Sequence, residues 1–370
     1  MTYSIAYPRK RLARGLLRGL GQLIVPALFR VRVRGRERFP ERGPLLVVGN
    51  HVAAMEAVLM AVYTPWQVEM LGAADIPHEW ITEIAMRVFG CIPVHRGRVD
   101  RAALRQALGV LAQGGILGIF PEGGIWEANA MRPQAGVAWL SYRARAPVLP
   151  IGFGGTLGAL EAAGKLRRPA LTMNVGTRIP AATLSEGKSK KAYLESYARR
   201  VIEAVTDLVP ADDPARRDHA ADERFTLQVE VRGPDGTPAT YPDALAPVYG
   251  GALAKLLHRP AVLKILRQNL RLPVGPLQDL AQADEVGPIA LGIESVLGYL
   301  RDENPYFLTY RFGPKEAEAM ETGLGELLAL ARWAAASGCT LRVRPVRHYR
   351  SPETGHEILQ TEQEAFQGWM

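Results

Sequence analysis

Three short apolar runs, Leu45–Gly49, Ile116–Phe120 and Val148–Phe153, constrain this chain more than any other feature of its sequence. Each is too short for a buried helix, and none alternates as a strand with one wet face does. Each therefore reads as a strand covered on both sides. Helix-length segments separate them: Ala53–Tyr63, then a helix capped by Asp100 that runs to Gln113 and closes at Gly114-Gly115, then Gly136–Arg145. Val68–Leu71, Ile92–His95 and Leu171–Val175 add strands, and Ile76–Phe89 and Lys190–Leu208 add helices. The alternation specifies an α/β fold, a mainly parallel sheet with flanking helices. In such folds ligands sit beyond the carboxyl ends of the strands.

At 370 residues the chain is long enough for two domains. A Pro- and charge-rich stretch, Ala211–Ala221, reads as a linker after an α/β domain spanning 35–210. Residues 222–370 read as an α+β accessory domain of unknown role. It has a strand Phe225–Val231, a turn at Gly233–Gly236, helices near Pro247–Leu270, Pro288–Arg301 and Pro314–Ser337, and a strand Thr340–Val346. Charge divides along the same line: residues 1–210 carry 28 basic and 15 acidic side chains, whereas 211–370 carry 17 and 22. Two cysteines, Cys91 and Cys339, cannot build a disulfide framework, and no Cys/His cluster suggests a metal site. A reducing, cytoplasmic address follows. No apolar run is long enough to span a bilayer, and no signal peptide is visible.

Residues 1–34 form a basic front end, with 11 basic against 2 acidic side chains in the first 42 residues. From Arg9 to Leu28 the leucines recur at helical spacing, and Arg9, Lys10, Arg11, Arg14 and Arg18 crowd the front. A basic helix with a leucine face suits an anionic membrane interface, where each nearby cation contributes about 1 kcal/mol. It equally suits a helix laid on the domain with its arginines solvated. No aromatic residues are interleaved for base stacking, so no nucleic-acid partner is expected.

Three segments at strand ends carry chemistry. In Asn50-His51 to Glu56, a histidine follows a buried strand with an acid five residues on. Five residues turn about 140° on a continuous helix, so the two meet only if His51 precedes the helix. Glu56 would then fix the imidazole tautomer whose other nitrogen takes a proton from a hydroxyl. Taken alone, the heptapeptide reads better as a polar helix cap beside an unrelated glutamate. Phe120-Pro121-Glu122-Gly123 ends a second strand, its glycine allowing close backbone approach to a polar ligand. Gly90 to Arg96 delivers an arginine, whose forked donors suit phosphate. His95 alternates with Arg96 and reads as structural.

Together these blocks resemble the glycerophospholipid acyltransferase family, the one-acylglycerol-3-phosphate (lysophosphatidic acid) acyltransferases and their relatives. The blocks are Asn50-His51 to Glu56, Gly90-Cys91-Ile92 to Arg96, Phe120-Pro121-Glu122-Gly123 and Val148-Leu149-Pro150-Ile151, in that order, and the resemblance covers about 30–210. It implies an O-acyltransferase moving a fatty acyl group to the hydroxyl of a lysophospholipid or glycerol-phosphate-like acceptor. The donor would be acyl-CoA or acyl-carrier protein, with no metal or bound cofactor. By the resemblance His51 and Glu56 are catalytic, and Arg96, Glu122 and Gly123 bind the acceptor. Family members meet their lipid at a membrane, which implies a peripheral protein on the inner face. Glu56 stands where the family has an aspartate, and Gly124-Ile125-Trp126 replaces a common Thr-Arg-Ser. Those departures motivate an alternative, a catalytically inactive lipid- or acyl-chain-binding protein on the same fold.

Overall fold

The structure, a computed structural model, describes residues 5–78, 80–121, 136–184, 189–213, 221–259, 262–263, 265–273, 286–350 and 354–361. Two compact units are present, Met1–Arg217 and Asp218–Met370. In the first, the order is α1 (Arg11–Leu28), β1 (Arg30–Arg34), β2 (Leu45–Gly49), α2 (Met55–Tyr63), β3 (Val68–Ala73), α3 (Trp80–Phe89), β4 (Ile92–Val94), α4 (Arg101–Ala112) and β5 (Ile116–Ile119). It continues with α5 (Gly136–Ala144), β6 (Val148–Gly154), α6 (Ala159–Gly164), β7 (Ala170–Val175) and α7 (Lys190–Thr206).

The seven strands form one sheet in the order β1-β7-β6-β2-β5-β3-β4. Strands β2 to β6 run parallel, and β7 turns back antiparallel to β6 with β1 parallel to it. Both faces are covered, which is why β2 shows no polar alternation. Leu46 and Val48 join a core with Val110 of α4, Leu140 of α5 and Val201 of α7. Leu45 and Val47 join another with Val25 of α1, Leu59 of α2 and Ala163 of α6. Asp100 caps α4, its carboxylate accepting from Ala102 N and Ala103 N at 3.0 Å each. Helices α2 and α3 begin later than their apolar residues suggest. In α2 the chain from His51 to Ala54 is spent on the turn out of the sheet.

Helix α1 resolves the two readings of the basic segment in an unexpected sense: Arg14 and Arg18 face the protein and the leucines face out. Arg14 is 3% exposed while Leu12 is 91% and Leu23 73% exposed. The cause is Glu69 on β3, a fully buried carboxylate. Arg14 grips it with both terminal nitrogens, at 2.6 and 2.8 Å, and Arg9 Nη2 approaches to 2.7 Å. Both guanidiniums also donate to Gly90 O, and Arg14 lies over the Phe89 ring. Gly21 lets the helix approach α2, since a Cβ there would meet Val62 Cγ2 at 2.5 Å. With Arg14, Arg18, Gly21 and Val25 turned inward, helical spacing leaves Leu12, Leu16, Leu20 and Leu23 on the opposite side.

The second unit has a three-stranded antiparallel sheet, β8 (Ala221–Arg232), β9 (Thr340–Arg350) and β10 (Glu357–Thr361), with β9 central. Helix α8 (Gly250–Leu257) and the helices Val286–Gly298 and Pro314–Ala336 supply buried residues such as Leu253, Ile293 and Leu327. The segment expected as one helix, Pro247–Leu270, ends as α-helix at Leu257. Pro260 follows, and a proline disfavours helical backbone in the residue before it.

Burial alone raises the Glu69 pKa, but the hydrogen bonds and charges of Arg14 and Arg9 outweigh it and hold the carboxyl below its ordinary value. A depressed folded pKa stabilises the fold above the ordinary carboxylate range, and that stability is lost as pH falls through the folded value. Glu69→Gln should lower unfolding free energy by about 3 kcal/mol at neutral pH, because it strands two buried cations. Denaturant titrations at pH 7 and pH 3 should show the gap between wild type and variant shrinking at the lower pH.

Candidate active site

At the carboxyl end of β2 the chain leaves the sheet under tight control. Gly49 sits against Phe153, where a Cβ would lie 2.6 Å from the ring. The next residue, Asn50, is buried and behaves as a substitute peptide group. Its Nδ2 donates to Phe153 O at 3.0 Å, and its Oδ1 accepts from Phe153 N at 2.7 Å. These bonds carry the β2–β6 ladder one position past the last paired residue and fix where the backbone turns.

His51 follows, ahead of the helix, so the geometric condition for meeting Glu56 is satisfied. Its Nδ1 lies 3.3 Å from Glu56 Oε2. An ionised carboxylate only accepts, so the shared hydrogen resides on Nδ1 and the neutral ring carries its lone pair on Nε2. The ring stacks on Phe120, centroids 4.2 Å apart and planes 18° from parallel, and its side chain is 16% exposed. Phe120 directly follows β5, the neighbour of β2, so adjacent strands position both ring and platform.

Glu56 is the more heavily determined member of the pair. It occupies the second position of α2 with no exposed surface. Its carboxylate folds back to accept from Ala53 N at 3.1 and 3.0 Å and from Val52 N at 3.4 Å. These are amides ahead of a helix start, where a negative charge also meets the positive end of the peptide dipoles. The hydroxyl of Thr156, beyond the end of β6, donates to Oε1. The loop holding Thr156 is itself fixed, as Gly155 N donates to Asp213 Oδ2 at 2.6 Å. Nothing local in sequence marks Thr156, which lies 100 residues from its partner.

Arg96 lies past the end of β4, where its Nε and Nη2 engage Asp75 at 2.6 and 2.9 Å. Asp75 follows β3, the neighbour of β4, so the pair sits on the same carboxyl edge as His51. Asp75 also escaped the sequence reading. Across three strand spacings, the axes of β2 and β4 stand about 14 Å apart. His95 bonds Asp100 through both its backbone N and its Nδ1, at 3.0 Å each. Glu122 and Gly123 lie outside the described residues, as do Gly124-Ile125-Trp126. Among the described residues no group of three or more His, Cys, Asp or Glu side chains is placed to hold a metal ion.

A second feature escaped the sequence reading. Trp80, Ile84 and Val88 recur every four residues on α3 and are 73%, 52% and 42% exposed. α3 lies beside α1, as the Arg14–Phe89 contact and a bond from Lys10 Nζ to Arg87 O show. Two neighbouring helices thus each expose an apolar stripe. No helix among the described residues is long and apolar enough to cross a membrane.

The first unit is thus an α/β domain built on a mainly parallel sheet, with a histidine–carboxylate pair at the carboxyl end of a central strand. Residues 30–154 match the acyltransferase family model. Among curated relatives, the 1-acyl-sn-glycerol-3-phosphate acyltransferase of Borreliella burgdorferi is 29% identical over 96 residues. That match covers 25% of this chain and 38% of the relative's own length. Among solved structures, the 1-acyl-sn-glycerophosphate (LPA) acyltransferase PlsC of Thermotoga maritima superposes with a TM-score of 0.40 at 18% identity. It covers 55% of this chain and 83% of that one.

Asn50→Ala should leave the buried Phe153 N–H and C=O unsatisfied at the sheet end. A loss of about 2–4 kcal/mol is expected, read from the shift of a denaturant midpoint at unchanged slope. A loss below about 0.5 kcal/mol would mean that the amide bridge contributes little.

Proposed function

We propose that this protein is an O-acyltransferase that moves a fatty acyl group from a thioester donor, acyl-CoA or acyl-carrier protein, to a hydroxyl of a lysophospholipid-like, glycerol-phosphate-bearing acceptor. The observation that carries the reading is His51 held through Nδ1 by the buried Glu56 at the carboxyl edge of an acyltransferase-family sheet. Nε2 takes the proton from the acceptor hydroxyl as its oxygen attacks the thioester carbonyl carbon. The tetrahedral intermediate collapses by breaking the C–S bond, and the imidazolium returns its proton to the departing thiolate. Glu56 stabilises the imidazolium formed between these steps. Arg96, held in place by Asp75, binds the acceptor's glycerol-phosphate part together with Glu122 and Gly123. Donor and acceptor balance without any metal or bound cofactor.

The exposed stripes of α1 and α3 support a peripheral attachment, with the acceptor taken from the membrane and the donor from the cytoplasmic side. Burying a leucine in the bilayer interface returns about 1.5–3 kcal/mol, so a handful suffice to hold a domain there.

Acyl transfer to a panel of lysolipids, followed by mass spectrometry of the products, tests the reaction. His51→Ala should lower kcat/KM by about 10³ or more, and Glu56→Ala by about 10². Glu56→Asp, one methylene too short to reach Thr156 and both amides together, should cost about tenfold. Lipid binding with no transfer to any alcohol would instead favour the non-catalytic reading. For attachment, Leu16→Asp with Leu20→Asp should weaken partitioning onto phospholipid vesicles at least tenfold in flotation assays. Both leucines point away from the protein, so its melting temperature should hold.

A further inference from the structure

The amino edge of the same sheet carries a second site for a ligand. A groove of about 660 Å³ opens between α1, the 36–41 loop and the end of α2, lined by Arg18, Arg36, Phe39, Glu41, Tyr63 and Trp66 among others. It lies at the start of β2, whereas His51 follows the end of that strand. Five residues of strand separate the two by roughly 17 Å, so the groove is not the acyl-transfer site.

The charges of the groove are held apart. Arg18 donates to the backbone carbonyl of Pro65 at 3.3 Å. Among the described residues neither Arg18 nor Arg36 has a carboxylate in ion-pair reach, and Glu41 has no cation. Opposite charges that share a groove without pairing present separate positive and negative poles. Two aromatic residues of the lining are fixed: Trp66 meets Phe39 edge-on with centroids 5.2 Å apart, and its indole N–H donates to Pro40 O at 3.0 Å. Guanidiniums suit a phosphodiester, while a carboxylate beside aromatic faces suits an ammonium. The helix that offers Arg18 to the groove offers Leu16, Leu20 and Leu23 to the outside.

We propose that this groove binds the zwitterionic head group of an ethanolamine-type phospholipid, its phosphate on Arg18 and Arg36 and its ammonium on Glu41 and Trp66. A primary ammonium donates hydrogen bonds to a carboxylate, which a trimethylammonium cannot do. A glycerol head group offers nothing positive to Glu41. The lipid bound here is a membrane component rather than the acyl acceptor, so the site stands independently of the acyl-transfer reading.

Isothermal titration of the full chain with dihexanoyl phosphatidylethanolamine below its micelle concentration tests the proposal. The comparison ligands are the phosphatidylcholine and phosphatidylglycerol of the same chain length, and inorganic phosphate. The ethanolamine lipid should bind at least tenfold more tightly than each of the others. Arg36→Glu should weaken it at least tenfold, and Glu41→Lys should reverse the preference toward phosphatidylglycerol. Both residues are exposed, and unchanged melting temperatures confirm folding. His51→Ala should leave binding intact, and Arg36→Glu should leave turnover on a soluble acceptor intact. No binding, equal binding of all head groups, or competition by inorganic phosphate at equal affinity would overturn the proposal. So would binding abolished by His51→Ala but indifferent to Arg36→Glu and Glu41→Lys.

Discussion

The carboxyl edge of the first unit's sheet is organised by one buried carboxylate. Glu56 has no exposed surface, and a charge so placed survives only when its oxygens are fully engaged. Its partners come from two parts of the chain: the His51 ring and two amides from the turn after β2, and the Thr156 hydroxyl from beyond β6. The carboxylate therefore ties the start of α2 to the ends of two neighbouring strands. Asn50 ties the same strands by a second route. His51 inherits its orientation from both, and its stacking on Phe120 removes the remaining freedom of the ring. A glutamate fits this arrangement, because its side chain spans from inside the helix back to amides that precede it.

A second buried carboxylate organises the opposite end of the sheet. Glu69 draws Arg9 and Arg14 inward and so decides which side of α1 faces the protein. The usual arrangement of an amphipathic surface helix is reversed: ion pairs and a few small residues hold it down, and its leucines are left outside. Beside it, α3 also turns Trp80, Ile84 and Val88 outward.

How much of this was legible in the sequence follows from the range of each interaction. Strands β2, β5 and β6 were readable because burial on both faces leaves an unmistakable apolar run. Asp100 was readable because a helix cap acts within three residues. Strand β1 was not: Arg30-Val31-Arg32-Val33-Arg34 is an edge strand whose arginines stay wet while its valines pack inward. The spacing of α1 gave an amphipathic helix without saying which face would be buried, since that depends on Glu69, 55 residues from Arg14. At the site, the sequence supplied His51, Glu56 and Arg96. It could not supply Thr156 or Asp75, each an ordinary polar residue in a loop until the sheet order sets it beside its partner.

The central claim is that Glu56 holds the neutral His51 ring with its hydrogen on Nδ1 and its lone pair on Nε2. Nitrogen-15 chemical shifts of the histidine side chains, with His51 assigned by loss of its signals in His51→Gln, report this directly. A protonated Nδ1 and an unprotonated Nε2 are expected in the neutral ring, reverting toward a tautomer mixture in Glu56→Ala. A ring protonated on Nε2 in the wild type, or a tautomer indifferent to Glu56, would contradict it.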